Sequence, residues 1–220
     1  MKPLIIALTG MPGSGKNELL KILQESELDL EIVHPKEFLK REMKGQALLT
    51  EFTKGTRLDL NSIDMGRVIK KKMEEENVPI TRDSVREFAT KIRESMGFDI
   101  VAKLCVPTIE EALQAGKTVV IEDIKGLVEA RFFRHRFADK FILVAVHAPP
   151  YIRFKRAQSR EAGWDQKQMS SSEDFDFRDD KELGWGLGNA VAMADYIIVN
   201  DGTLDDFREN VERLFRKLVK

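Results

Sequence analysis

A single cysteine, Cys105, occurs in 220 residues. One thiol cannot close an intrachain disulfide, so no disulfide framework organises the fold, and a reducing compartment suits the chain. Long apolar runs are missing as well. The N-terminal run Leu4-Ile5-Ile6-Ala7-Leu8 is five residues long, and glycine-rich sequence follows it instead of a small-residue cleavage site. That marks a buried strand rather than a signal peptide. No stretch approaches the roughly 20 apolar residues of a membrane-spanning helix. An excess of one charge is absent too: 36 Lys and Arg oppose 37 Asp and Glu, for a net −1. The chain therefore has no global electrostatic pull toward nucleic acid or an anionic membrane. Histidine is scarce. His34, His135 and His147 stand apart, with no cysteine or second histidine at ligand spacing, so they indicate no metal site. His147 ends a strand candidate and reads as a satisfied near-core residue. No Ser-His-Asp or Cys-His arrangement stands out, and repeats and low-complexity tracts are lacking. These absences leave a soluble cytoplasmic protein, with neither membrane nor nucleic acid as an expected partner; a homodimer or a protein partner stays open.

Apolar residues make up 42% of the chain, enough for one sizeable core, and the length fits one or two domains. The clearest strand candidates are residues 4–9, 118–122, 141–147 and 195–199, with a weaker one near 30–34. Helical patterns separate them, which indicates parallel βαβ units. The last helix is explicit. Thr203 and Asp206 have capping-box spacing, and Phe207, Val211, Leu214, Phe215 and Leu218 then share one face. The run from Lys70 to Glu76 pairs opposite charges at i,i+4 and reads as a solvated helix face. Residues 44–63 and 161–181 look irregular, and long polar segments in a compact α/β domain often serve as lids or substrate-binding inserts.

Gly10-Met11-Pro12-Gly13-Ser14-Gly15-Lys16 satisfies G-x-x-x-x-G-K, the Walker A spacing. Such a loop curls so that successive backbone N–H groups point at phosphate oxygens. Its glycines permit the backbone angles and the close approach. The helix that begins near Lys16 adds its N-terminal dipole and free N–H groups, and Lys16 supplies a positive charge for the β- and γ-phosphates of ATP or GTP. A strand precedes the motif and a helix over about 17–25 follows it, as the motif requires. The residue after the lysine is Asn17, where a Mg²⁺-binding Ser or Thr is usual.

Residues 118–122 form an apolar strand that ends on Glu122-Asp123. An acid at the end of a strand beside a phosphate loop holds the Mg²⁺ shell. Because alternate strand residues face opposite sides, one of the two should point at the site, with Glu122 favoured over Asp123. Residues 151–160 carry Arg153, Lys155, Arg156 and Arg160 with no acid among them. Arg153, Arg156 and Arg160 fall at i, i+3 and i+7 on one helical face, and Arg178 could join them. A single-sign face suits a site that must neutralise a migrating phosphoryl group, although a basic surface helix would give the same spacing.

The motifs together resemble the P-loop nucleotide kinases related to adenylate kinase and dephospho-CoA kinase, and more closely an archaeal family of predicted nucleotide kinases. The resemblance covers most of the chain. Residues 5–18, 119–125, 144–148, 183–188 and 194–200 carry it, and Trp185-Gly186-Leu187-Gly188 with Ala194-Asp195-Tyr196 is its most specific part. It implies a three-layer α/β/α fold with a five-stranded parallel sheet and one P-loop kinase-like domain over residues 1–220. It also implies an acceptor-binding insert at about 35–97 and a lid at about 153–182. ATP and Mg²⁺ would bind, and the γ-phosphoryl group would pass to a nucleotide-like or CoA-precursor acceptor. Gly10, Pro12, Gly13, Ser14, Gly15, Lys16, Asn17, Glu18, Asn200 and Gly202 would hold the nucleotide, with the loop after the last strand near the adenine. Asn17, Glu122 and Asp123 would hold the metal, and Lys16, Arg153, Arg156 and Arg160 would serve catalysis. The sequence departs from the family at four places. Asn17 replaces Ser or Thr, Glu122-Asp123 replaces Asp-Gly, Lys125 replaces an arginine, and Arg67 replaces an aspartate after an extra stretch of about 25 residues. These departures keep a second reading alive, in which the protein is an ATP-binding switch or slow NTPase that acts through a protein partner.

Overall fold

The computed structural model describes residues 3–26, 62–64, 73–77, 91, 93–159 and 171–219. The weak strand near 30–34, most of the expected acceptor insert, His34, Arg67 and Arg160 lie outside these residues.

Five parallel strands form the sheet, in the order β2-β3-β1-β4-β5. They are β1 (Ile5–Thr9), β2 (Ser62–Asp64), β3 (Val119–Glu122), β4 (Phe141–His147) and β5 (Tyr196–Val199). The four longer strands match the apolar runs of the sequence. The short edge strand β2 does not, since it begins inside a stretch that reads as irregular. Its three residues pair Ser62 with Val120 and Asp64 with Glu122, too few for a period-2 pattern to emerge.

Around the sheet lie α1 (Lys16–Glu25), α2 (Ile100–Gln114), α3 (Leu127–Phe137), α4 (Pro150–Ser159), α5 (Ser172–Gly184), α6 (Leu187–Ala192) and α7 (Leu204–Leu218). Strand alternation splits the core into two. Ile5, Ala7, Val119, Ile121 and Leu143 pack with residues of α2 and α3 on one face. Ile6, Leu8, Val120, Val144 and Val146 pack with α1 and α7 on the other. Strands buried on both faces explain the continuous apolar runs. The expected amphipathic helix is α7: its capping box is formed, and Phe207, Val211 and Phe215 are buried. No helix among the described residues is long and apolar enough to cross a membrane.

Two expectations need correction. Residues 172–181 are helical, within α5, although they read as irregular. Ser171 caps the helix by accepting from the Asp174 N–H at 3.1 Å, and only Phe175 and Asp179 are buried along it. A helix anchored by one ring and one acid leaves little apolar periodicity to read. His147 is exposed rather than near-core; its carbonyl, not its ring, is used, accepting from the Asn200 N–H at 2.7 Å.

This topology places the site. β1 runs into α1 on one face, whereas β3 runs into α3 on the other. The loops after β1 and β3 therefore diverge at the carboxyl ends of adjacent strands and open a crevice between them.

Candidate functional site

The loop after β1 owes its shape to its glycines. Gly10, Gly13 and Gly15 have φ of 143°, 84° and 114°, all in the region that side chains disfavour. Space forbids a side chain as well. A Cβ at Gly10 would lie 2.3 Å from the Val146 carbonyl oxygen, and one at Gly15 would lie 2.2 Å from Asn200 Nδ2. Gly15 is the N-cap of α1 and no side chain caps the helix. The first helical bond runs from the Leu19 N–H to the Gly15 carbonyl, so the N–H groups of Lys16, Asn17 and Glu18 have no acceptor within the helix. Ser14 is buried within the loop, and its hydroxyl has no hydrogen-bond partner. A loop with unclaimed N–H groups and an orphaned hydroxyl is built to receive an anion.

Lys16 lies at the mouth of this loop. Its ammonium donates to the Gly10 carbonyl at 2.5 Å and sits 3.4 Å from Asp123 Oδ1. Asp123 follows β3 with φ 66°, a left-handed residue at the place where the resembled family carries glycine. Aspartate is among the few residues that tolerate this conformation. The turn carries its carboxylate back to the phosphate-loop lysine, whereas Glu122, still on the strand, shares the face of Val120 and α1 by alternation. The second oxygen of Asp123 is 2.9 Å from Lys125 Nζ, and Lys125 is also 3.1 Å from Glu182 of α5. The result is a chain of alternating charge, Lys16, Asp123, Lys125 and Glu182.

The charges in this chain perturb one another. Burial acts to raise the pKa of Asp123, but the Lys125 and Lys16 ammonium groups outweigh it and hold the carboxyl well below the usual range. Burial acts to lower Lys125, but Asp123 and Glu182 outweigh it and hold its pKa above the usual lysine value. Lys16 goes the other way: burial lowers it despite the attraction of Asp123. The difference follows from the neighbouring charges: Lys125 lies between two carboxylates, whereas Lys16 has one carboxylate beside it and also feels the repulsion of the Lys125 ammonium.

The arginines approach the loop from behind. Arg153 is buried; its Nε donates to the Ala148 carbonyl at 3.1 Å, and one terminal nitrogen donates to the Pro12 carbonyl at 3.4 Å. Another lies 2.6 Å from Asp179 of α5. Arg156 donates to the Gly13 carbonyl at 3.3 Å and to the carbonyl and side-chain oxygens of Asn200 at 3.2 and 3.0 Å. Asn200, buried, donates in turn to the Ser14 carbonyl at 2.8 Å. Arg153, Arg156 and Asn200 thus form a brace on the carbonyl side of the loop, which frees its N–H side to point inward. Arg178 lies with Arg153 about the Phe175 ring, their guanidinium carbons 5.1 and 5.0 Å from its centre. Gly202 stands away from the loop, against Asp206 in the cap of α7. Arg160 lies outside the described residues.

Three acids that the motifs do not mark brace the elements around the site. Glu182 and Asp179 tie α5 to Lys125 and Arg153. Glu129, in the first turn of α3, is 2% exposed. Its Oε1 accepts from Arg93 at 2.9 Å and its Oε2 from the Lys125 N–H at 2.9 Å. Burial pushes its pKa up, against the pull of Arg93. A signal existed for this one: Glu129 stands three residues after Gly126, the N-cap of α3, the spacing of a capping-box acid.

Comparison with known proteins gives a consistent result. Residues 6–177 match a family described as AAA domain. A UPF0200 protein of Thermococcus onnurineus is 35% identical over 98% of both chains. Among solved structures, dephospho-CoA kinase from Campylobacter jejuni superposes with a TM-score of 0.56 at 14% identity, covering 98% of this chain and 96% of that one. Shikimate kinase from Bacteroides thetaiotaomicron gives a TM-score of 0.51 at 17% identity, covering 98% of each. At such identities these structures share the P-loop kinase fold with this chain.

Proposed function

The chain belongs to the AAA-domain family and to the family of the UPF0200 proteins, and we propose that it is an ATP-dependent phosphotransferase acting on a nucleotide-like or CoA-precursor acceptor. One observation carries the reading: Lys16 closes an anion-ready loop and meets Asp123, which also pairs with Lys125, in the crevice between β1 and β3. The kinase folds of the structural neighbours support it.

The residues present fit a polyphosphate. The N–H groups at the start of α1 and the Ser14 hydroxyl offer donors, and Lys16 offers a cation that would exchange the Gly10 carbonyl and Asp123 for phosphate oxygens. Gly10, Pro12, Gly13, Gly15, Asn17 and Glu18 complete the cradle, with Asn200 and Gly202 on the base side. Arg153 and Arg156 act here as positioning residues, because their donors hold loop carbonyls. The fit to Mg²⁺ is of a narrower kind. The Asn17 amide oxygen and the Glu122 carboxylate are hard oxygen donors, as the ion prefers, whereas both Asp123 oxygens face ammonium groups. When bound with the nucleotide, Mg²⁺ would neutralise charge on the phosphates. Lys125 would neutralise charge at the acceptor side, and α4 with α5, near residues 153–182, would serve as the lid. Catalysis would then rest on positioning and electrostatics.

The charge pairing of Asp123 and the amide of Asn17 also favour a second reading, a nucleotide-binding switch or slow NTPase. Transfer of label from γ-labelled ATP to nucleoside monophosphates and dephospho-CoA separates the two. The wild type should label one of them, and Lys16→Ala should label none. Wild-type protein that binds ATP yet labels no acceptor would sink the kinase reading and leave the switch.

A further inference from the structure

The mechanism leaves one buried acid unused. Glu129 is the most enclosed carboxylate of the described residues near the crevice, and both its oxygens are engaged, one by Arg93 and one by the Lys125 N–H. A glutamate at the third position of a helix commonly reaches back to the cap residue. Here it reaches one residue further, past Gly126 to Lys125. It therefore fixes the turn that carries Asp123 at φ 66° and, through Asp123, the partner of Lys16.

The other oxygen points the opposite way. Arg93, itself buried, lies with its guanidinium carbon 5.9 Å from the centre of the Trp185 ring. Trp185 closes α5, and its carbonyl oxygen would lie 2.7 Å from a Cβ on Gly126. The end of α5 thus rests on the same turn that Glu129 holds. Glu182, one turn earlier, pairs with Lys125. From Lys16 to Trp185 the contacts are continuous: an ion pair to Asp123, an ion pair to Lys125, a backbone bond to Glu129, an ion pair to Arg93 and a ring contact.

We infer that Glu129 is a positioning residue that couples occupancy of the phosphate loop to the α5 end at Trp185. The inference rests on the nucleotide-binding reading proposed above. A phosphate that draws Lys16 away from Asp123 changes the charge facing Lys125. Lys125 cannot shift its backbone without pulling on Glu129, and Glu129 cannot shift without moving Arg93 against Trp185. In a close-packed interior such displacements pass between neighbours rather than being absorbed. Charge pairs with two discrete arrangements are the kind of element that carries coupling.

Trp185 is its own reporter once Trp164, the second tryptophan, is removed. In a Trp164→Phe background, ATP should change Trp185 fluorescence along the same isotherm as binding of ATP measured by calorimetry. In Trp164→Phe/Glu129→Gln, calorimetric affinity should stay within about threefold, while the tryptophan response falls at least fivefold. Neutralising Glu129 alone takes a carboxylate away from the buried Arg93 cation, which can unfold a domain. Arg93→Met/Glu129→Gln in the same background removes both charges and should fold, bind ATP and remain silent at Trp185. A full response in either Glu129 variant overturns the inference. So does loss of ATP affinity in a folded Glu129 variant, which would make Glu129 part of the nucleotide site, or a parent that binds ATP without any Trp185 signal. A parent that binds no ATP overturns the nucleotide-binding reading itself, and this one with it.

Discussion

Single residues show best what a sequence can and cannot reveal. Gly10, Gly13, Gly15 and Lys16 were legible because their spacing encodes a backbone shape, and that shape needs nothing distant. Gly15→Ala tests it. The new Cβ would meet Asn200 Nδ2 at 2.2 Å with φ at 114°, so strain and collision add. We expect a loss of at least about 2 kcal/mol and weaker ATP binding. Gly116→Ala is the control, because φ is 76° there but no atom lies within 4 Å. It should cost about 1 kcal/mol of backbone strain alone, read by chemical denaturation. Asp123 was legible only as an acid at a strand end. Its left-handed turn, and so its grip on Lys16, depends on Glu129 and Lys125, which no local spacing ties to it. Its depressed pKa carries a pH signature. A carboxyl whose pKa is lower in the folded state adds stability above its unfolded value, near 4, and loses it as pH falls below that. Asp123→Asn should therefore be less stable than wild type at pH 7, and the gap should narrow steadily below about pH 4. A gap that is unchanged down to pH 2 would show that the ionised carboxylate is not what matters. Because the side chain is 37% exposed, added salt should narrow the gap as well.

At the scale of elements, legibility followed the source of each element's anchoring. The strands β1, β3 and β4 declared themselves because both faces are largely buried, β5 because its run stays apolar although Ile197 and Val199 are exposed, and α7 because its cap and apolar stripe are local. α5 stayed hidden because it is held by Phe175, Asp179 and Glu182, whose partners lie far off in sequence. Of the expected arginine face, Arg153 and Arg156 lie in α4 among the described residues, and the structure turns them onto loop carbonyls and Asp179. That gives α5 a share in the phosphate loop. Asp179→Ala should leave Arg153, 4% exposed, as a buried cation without its anion, a change that costs about 3 kcal/mol or more. Arg153→Met/Asp179→Leu removes both charges and should recover most of the denaturation midpoint. It should not recover ATP affinity, because the Pro12 carbonyl has lost its donor. If affinity returned with stability, the brace would be a fold device alone.

For the whole molecule the question is how the phosphate grip and the metal divide the work. The proposed grip would be assembled from backbone N–H groups, the Ser14 hydroxyl and Lys16, none of which needs a metal to be in place. The metal donors are few: among the described residues no three of His, Cys, Asp or Glu gather as a ligand set, and Asn17 stands where a hydroxyl is usual. An amide oxygen has a different reach from a hydroxyl, so Mg²⁺ should add less to nucleotide affinity here than in a hydroxyl-bearing loop. Thermal shift reads this directly, because a ligand that binds only the folded state stabilises it by about 2.7 kcal/mol at a hundredfold excess over Kd. For a chain of this size that is a rise of about 5 °C or more. ATP in EDTA should already raise Tm, and Mg²⁺ should add a smaller increment. In Asn17→Ser the EDTA shift should stay the same while the Mg²⁺ increment grows, which corresponds to a several-fold gain in affinity. Equal Mg²⁺ increments in the two proteins would place the metal entirely on Glu122 and the nucleotide, and would leave Asn17 as a capping-turn residue of α1 with no part in the chemistry.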